Sequence, residues 1–459
     1  MNLYRIFALG TALLLSACAQ QPAPDTETHA VTQVQADSDS EYRAIVNVNV
    51  LPMVTSANQV IRNQQVLIKR DRIIALGPNL DIPADAMVID ANQAYLIPGL
   101  AEMHGHVPPA NSFEGIPPRY LNDVLYLYLT GGVTTVRGML GHSHQLQLKS
   151  DIRSGERVGP TLYLAGPSFS GNSVRSTEQA LIRVRDQVEE GWDLLKIHPG
   201  LTLEEYREIT SLARILGIDF AGHVPSSVGL GRALMAGQRT IDHLDGYLEY
   251  LNALTTPITD AQLHQAVALT REYGGAVVPT QALWETLIGA ADSSELMRYE
   301  ELQYVPAQVR DRWVGFLSER DNPYLNTTTA EVQAANRDRL LKALHDGGVP
   351  VLFGTDAPQL FSVPGFSVRH EMVKMSEAGI SNGDILWSAT RLVGDYFAKN
   401  DRFGSVAVGH RADLVLVAEN PLNDLATVAE PLGVMAQGHW HSRAEMDKKL
   451  KEISAAYAE

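Results

Sequence analysis

A parallel (β/α)₈ barrel carrying a small composite β-sandwich is the fold this sequence predicts. Strand-like and helix-like segments alternate through the middle of the chain, and short β-like runs gather at both ends. The unusual polar residues fall where strand-like segments end, which is where a parallel barrel builds its site. The 459 residues suit one large unit and one smaller one, and 45% hydrophobic with 20% charged residues fits a substantial core. A doubly wound open sheet would show the same alternation; the placement of the polar residues favours the barrel.

Residues 1–18 have the layout of a secretory signal: Arg5 in a short leading segment, an apolar run from Ile6 to Leu15, then small residues before Cys18. The run is too short to span a bilayer as a helix. Leu15-Ser16-Ala17-Cys18 resembles the bacterial lipobox, in which the cysteine becomes the acylated first residue. Cys18 is the single cysteine of the chain, so no intrachain disulfide can form. The expectation is an exported protein, lipid-anchored through Cys18 on the periplasmic side. Ala19, in place of Asp, favours the outer membrane.

Residues 19–41 are polar and proline-containing and read as a flexible tether. Residues 42–97 hold β-like runs at Ala44–Leu51, Gln65–Ile68, Arg72–Leu76 and Met87–Ile89, and residues 401–445 hold two more at Asp413–Val417 and Val434–Gln437. These form the two parts of the sandwich. Between them, residues 98–400 make the barrel. Its strands are expected at Tyr95–Glu102, Thr134–Arg137, Thr161–Ala165, Leu194–His198, Asp219–His223, Thr240–His243, Ala276–Thr280 and Pro350–Thr355. Capping boxes at Ser176, Thr202, Thr259 and Thr328 open four of the intervening helices. The stretch from Trp284 to Asn326 is longer than a connection needs, as lids often are.

On this framework His104 and His106 follow the first strand, Lys196 lies in the fourth, His223 and His243 end the fifth and sixth, and Asp356 ends the eighth. His104 and His106 are two apart, so on extended chain both imidazoles face one way. Four imidazoles, a lysine and a carboxylate suit a borderline ion such as zinc. Lysine fits such a site if Lys196 reacts with CO₂ to give an anionic carbamate, which a low-dielectric, cation-rich position favours by holding the amine uncharged. His198 shares the face of Lys196, Tyr247 follows His243 by four, and Arg137 ends the second strand; these are candidates for substrate contact, with a structural ion pair the other reading of Arg137. His142 and His144 form a second His-x-His without a matching carboxylate and read as solvated.

Pro98-Gly99-Leu100-Ala101-Glu102-Met103-His104-Gly105-His106 resembles the first-strand signature of the amidohydrolase superfamily. Gly131–Arg137 resembles the second-strand segment of its imidazolonepropionase and prolidase-like branches. Ala221-Gly222-His223, Ile241-Asp242-His243 and Gly354-Thr355-Asp356 are similar to its later ligand strands, and Gly404–Val415 with Asn420-Pro421 to its C-terminal return. Gly138 departs from the pattern, since many relatives carry Asp there. The resemblance implies two divalent metal ions: His104, His106 and Asp356 on one, His223 and His243 on the other, and carbamylated Lys196 between them. It further implies a bridging hydroxide as nucleophile and Asp356 as the catalytic acid/base.

A small-molecule amide or peptide is therefore the expected substrate, with a Xaa-Pro-like dipeptide or N-acyl amino acid first in line. The alternatives are a mononuclear imidazolonepropionase-like opening of a cyclic amide, and a catalytically dead lipoprotein that binds a ligand. Lys196 and export speak against the first, and the full ligand set against the second. The net charge of −16 argues against nucleic acid and against broad adsorption to anionic lipid, leaving the lipid anchor as the membrane contact. A homo-oligomer is compatible with the sequence.

Overall fold

The computed structural model describes residues 31–34, 40–55, 59–108, 116–319, 325 and 328–458. The signal segment, with Cys18, lies outside the described residues. Within the segment read as a tether, Thr32–Val34 forms a short strand antiparallel to Met87–Asp90. Its sequence, with β-branched Val31, Thr32 and Val34, favours extended backbone. No described helix is long and apolar enough to cross a membrane.

Strands from both ends of the chain share one nine-stranded sheet. Tyr42–Val50 pairs antiparallel with Ile61–Lys69, which turns at Arg70-Asp71 into Arg72–Gly77. On its other side Tyr42–Val50 runs parallel to Met87–Asp90 and then to Tyr95–Pro98. Tyr95–Pro98 pairs antiparallel with Leu414–Val417, and Gly433–Ala436 and His439–Ser442 continue from there. Ile45, Val66, Leu96, Leu414 and Met435 belong to the apolar core of this sheet. Beyond it a capping box at Ser442 starts the helix Arg443–Ala456.

The strand expected over Tyr95–Glu102 is two strands in two sheets, Tyr95–Pro98 and Leu100–Gly105. Pro98 cannot donate to a ladder. A Cβ on Gly99 would lie 2.1 Å from Thr134 Oγ1, so the chain crosses between layers only because that residue is glycine.

The middle of the chain builds two parallel sheets. Leu100–Gly105, Val133–Gly138 and Thr161–Leu164 form one; Leu194–Ile197, Asp219–Gly222, Thr240–Asp242 and Ala276–Val278 form the other. They do not make one continuous ladder. Only the bridges Ala165–Leu194 and Phe169–Ile197 join the third strand to the fourth, because Pro167 between them has no donor. The expected eighth strand over Pro350–Thr355 is reduced to the bridge Val351–Val277. That segment nevertheless lies against the first strand, through Met103 N to Phe353 O at 2.9 Å and Asp356 N to His104 O at 2.7 Å. Leu100, Val136, Ile197, Ile241, Val277 and Phe353, all fully buried, share the largest apolar core of the molecule.

Helices follow most of these strands. Thr202 and Thr259 form full capping boxes, and Ser176 accepts from Gln179 N. The box expected at Thr328 is not formed: the helix Ala330–Asp346 begins from Thr329, which puts Glu331 one position too early to reach back. The long stretch after the seventh strand is mainly helical, with Gln281–Leu287, Ser293–Leu296, a 3₁₀ turn at Glu300–Tyr304 and Ala307–Leu317.

Candidate metal centre

All six ligands expected from the sequence converge at the C-terminal ends of the parallel strands. His106 Nε2 lies 2.5 Å from Asp356 Oδ1, and His104 Nε2 lies 3.7 Å from the same oxygen. His243 Nε2 is 3.8 Å from Asp356 Oδ2. Lys196 Nζ is 3.1 Å from His104 Nε2. The His223 ring is centred 4.6 Å from that of His243, and His198 stands 5.0 Å beyond His223. One ligand atom each from His104, His106 and Asp356 lie within 4.8 Å of one another, close enough to share an ion.

The backbone bends sharply to bring them there. His243, Thr280 and Asp356 adopt φ of 63°, 43° and 63°, values that ordinary side chains avoid and that a β-branched threonine rarely takes. Each costs on the order of 1–3 kcal/mol, strain of a kind that collects at functional sites.

A second layer orients the imidazoles. Thr280 Oγ1 is 2.7 Å from His243 Nδ1, Asp245 Oδ2 is 2.6 Å from His223 Nδ1, and Ser168 Oγ is 3.0 Å from His198 Nδ1. Asp242 comes within 2.8 Å of His104 Nδ1, out of line for a hydrogen bond, and carries Arg137 on its other side at 3.2 Å. Partners on Nδ1 leave Nε2 of His223 and His243 to face the centre. His243 Nε2 is buried and has no hydrogen-bond partner among the described residues.

Burial pushes His104 and His243 well below the usual imidazole value, helped in each case by neighbouring positive groups. Burial and then the charge of Lys196 push His198 down to about 2. Burial also brings Lys196 down to about 8, against the pull of Asp242 and Asp356. Neutral imidazoles offer lone pairs, as a divalent cation requires. The orphaned nitrogen of His243 and the crowding of imidazole nitrogens around one carboxylate fit a metal ion at this site.

Residues 95–441 match the family model described as the amidohydrolase family. The chain belongs to the amidohydrolase family. This amidohydrolase is a hydrolase of amide or peptide bonds. No curated protein matches it significantly. Among solved structures it is similar to a bottromycin amidohydrolase, at 23% identity and TM-score 0.71, over 92% of this chain and 91% of that one. A putative prolidase from Bifidobacterium longum is 22% identical, with TM-score 0.68, over 90% and 99%. A Xaa-Pro dipeptidase with bound methionine is 21% identical, with TM-score 0.65, over 87% and 100%. At these identities the likeness is one of fold.

Two candidates for substrate contact in the amidohydrolase are placed elsewhere. Arg137 is wholly buried, donating to Met103 O at 2.6 Å and to Asp242, so it is a structural ion pair with no face toward a substrate. Tyr247 is also wholly buried, and its hydroxyl lies 2.7 Å from Thr270 Oγ1 of the helix Asp260–Glu272. His198 remains beside the centre. His142 and His144, read as solvated, are partly buried and stacked 6.2 Å apart. Sequence reading missed Asp245, Thr280, Ser168 and Glu102. Glu102, buried, accepts from the backbone N–H of His104 and of Thr355 at 3.0 and 2.7 Å, fastening the first strand to the segment that carries Asp356. Its place in the first-strand motif, two before His104, was the available signal.

Proposed function

We propose that this amidohydrolase is a binuclear metal hydrolase that cleaves the amide bond of a small peptide, a Xaa-Pro-like dipeptide or an N-acyl amino acid. The observation that carries the reading is Asp356, whose two oxygens face His106 on one side and His243 on the other. In this reading His104, His106 and Asp356 would hold one ion and His223 and His243 the second, with Lys196, as a carbamate, a ligand they would share. The depressed Lys196 amine supports carbamylation: its nitrogen adds to CO₂ and releases a proton. Two divalent ions, of which zinc suits the donors, would ease deprotonation of a water and polarise the scissile carbonyl. Asp356 then takes the proton of the attacking water on a carboxylate oxygen and hands it to the departing amine. Asp245 and Thr280 hold the two imidazoles in place meanwhile.

The architecture of this reading is a closed (β/α)₈ barrel over residues 98–400, completed by the 350–357 segment, with residues 42–97 and 401–445 as a composite β-sandwich. The prolidase and dipeptidase among the similar structures favour peptide-like substrates. A mononuclear enzyme opening a cyclic amide is the second reading, favoured by the compact His104, His106 and Asp356 group.

A panel of dipeptides, N-acyl amino acids and cyclic amides, offered to the metal-loaded full-length chain, tests the function. Hydrolysis of linear amides is expected; turnover of cyclic amides alone would support the second reading. The location follows from Cys18, proposed as the lipid attachment point of an outer-membrane protein. Cys18→Ser should leave the membrane fraction or remain as an unprocessed precursor; unchanged fractionation and processing would contradict the anchor.

A further inference from the structure

We propose that the inserted helix Ala307–Leu317 walls a subsite for a bulky apolar side chain on the amine side of the scissile bond. This rests on the hydrolase reading above. A cavity of about 490 Å³ opens beside His106. Its walls are apolar: Val107, Tyr120 and Leu140 come from around the first two parallel strands, and Val309 and Trp313 come from the inserted helix. Val309 and Trp313 are four apart, hence on one helical face. Both are buried, and Phe361 backs Trp313 with ring centres 5.6 Å apart. The volume lies in the ordinary range for small-ligand pockets, roughly 300–1,000 Å³, and the walls would remove an aromatic or large aliphatic group from water.

The side of the bond follows from the chain itself. Pro358 and Gln359, which also line the cavity, come two and three residues after Asp356, and His106, another of its lining residues, touches Asp356 at 2.5 Å. The His223 and His198 half of the centre contributes nothing to it. The fragment next to Asp356 is the one that takes the proton from it, the amine. The subsite therefore fits an amide whose amine half carries an apolar side chain. The Tyr120 hydroxyl, buried and without a hydrogen-bond partner among the described residues, adds a polar atom to the same wall.

The test uses the full-length metal-loaded chain and the two amine products L-phenylalanine and L-alanine, with binding measured by calorimetry. Hydrolysis of N-acetyl-L-phenylalanine and N-acetyl-L-alanine is followed in parallel, beside N-phenylacetylglycine and N-acetylglycine as the acyl-side pair. Burying the phenyl group predicts roughly 10- to 100-fold tighter binding of phenylalanine than of alanine. Trp313→Ala should erase most of that ratio and Trp313→Phe should keep most of it. Val309→Ala, a milder change in the same wall, should lower it part-way and covers the case in which Trp313→Ala fails to fold. A wild-type chain without the preference, or a preference that survives both alanine variants, overturns the subsite. Loss of acyl-side selectivity in place of amine-side selectivity overturns its orientation. A binding ratio that follows Trp313 in a chain that hydrolyses none of these amides would sink the hydrolase reading and leave the cavity's preference standing.

Discussion

Asp356 sits in a strained, left-handed backbone conformation, with one oxygen against His106 and the other toward His243. Replacing it with asparagine keeps the shape and one oxygen ligand and removes the ability to accept a proton. Asp356→Asn should lower kcat by roughly 10²–10⁴, the usual span for a general acid/base. Bound metal should fall far less, because four imidazoles stay in place. Near wild-type turnover would show that Asp356 moves no proton; complete loss of metal would make it chiefly a ligand. The candidate ligands were legible because six of them fall together at the ends of successive strands, a coincidence that structural histidines taken singly do not produce. Their supports were not. Asp245 follows His243 by two yet holds His223, and Thr280 arrives from the next strand; nothing in linear spacing says which imidazole nitrogen a loop side chain will meet. Arg137 stayed open between substrate contact and a structural ion pair for a related reason: the end of a strand can face the mouth or the interior, and the buried Asp242 decides for the ion pair.

The short helix Gln281–Leu287 starts at strained Thr280 and hangs from Glu371, whose two oxygens accept from Gln281 N and Ala282 N at 2.8 and 2.9 Å. Burial pushes the Glu371 carboxyl up to about 7, in spite of those two donors. Its folded value thus exceeds its unfolded one. The neutral carboxyl favours the folded state fully at pH below the unfolded value, and that contribution is lost as pH rises through 7. Urea unfolding should accordingly show stability falling between about pH 4.5 and 7 more steeply in the wild type than in Glu371→Gln. Parallel slopes would contradict the buried-carboxyl account. At this scale the strand positions were mostly readable, since β-branched runs between turn residues mark them. The exceptions have local causes: Gly99 lets one apolar run serve two sheets, and the 350–355 run spends its backbone bonds on two neighbours without forming a regular ladder.

Across the whole molecule, Arg411 ties the two structural layers together. It comes from the return toward the nine-stranded sheet, donates to Asp413 at 2.6 Å and Asp401 at 2.7 Å, and reaches Thr135 Oγ1 of the second parallel strand at 2.6 Å. Arg411→Met would strand the buried Asp413 carboxylate, and a loss of about 3–5 kcal/mol in unfolding free energy is expected. A change below about 1 kcal/mol would mean that the layers are held by apolar packing alone. That the N- and C-terminal strands come together was visible in the sequence as matching β-like runs at both ends; that they share one nine-stranded sheet, and that the helix Arg443–Ala456 lies beyond them, was not. The convergence of histidines, lysine and aspartate at the strand ends is proposed to hold metal for hydrolysis. Metal content of the purified full-length chain, measured by mass spectrometry alongside amide hydrolysis before and after chelation, tests it most directly. About two divalent ions per chain are expected, with activity lost on their removal and recovered on their return. Undiminished hydrolysis by the metal-free chain would contradict it.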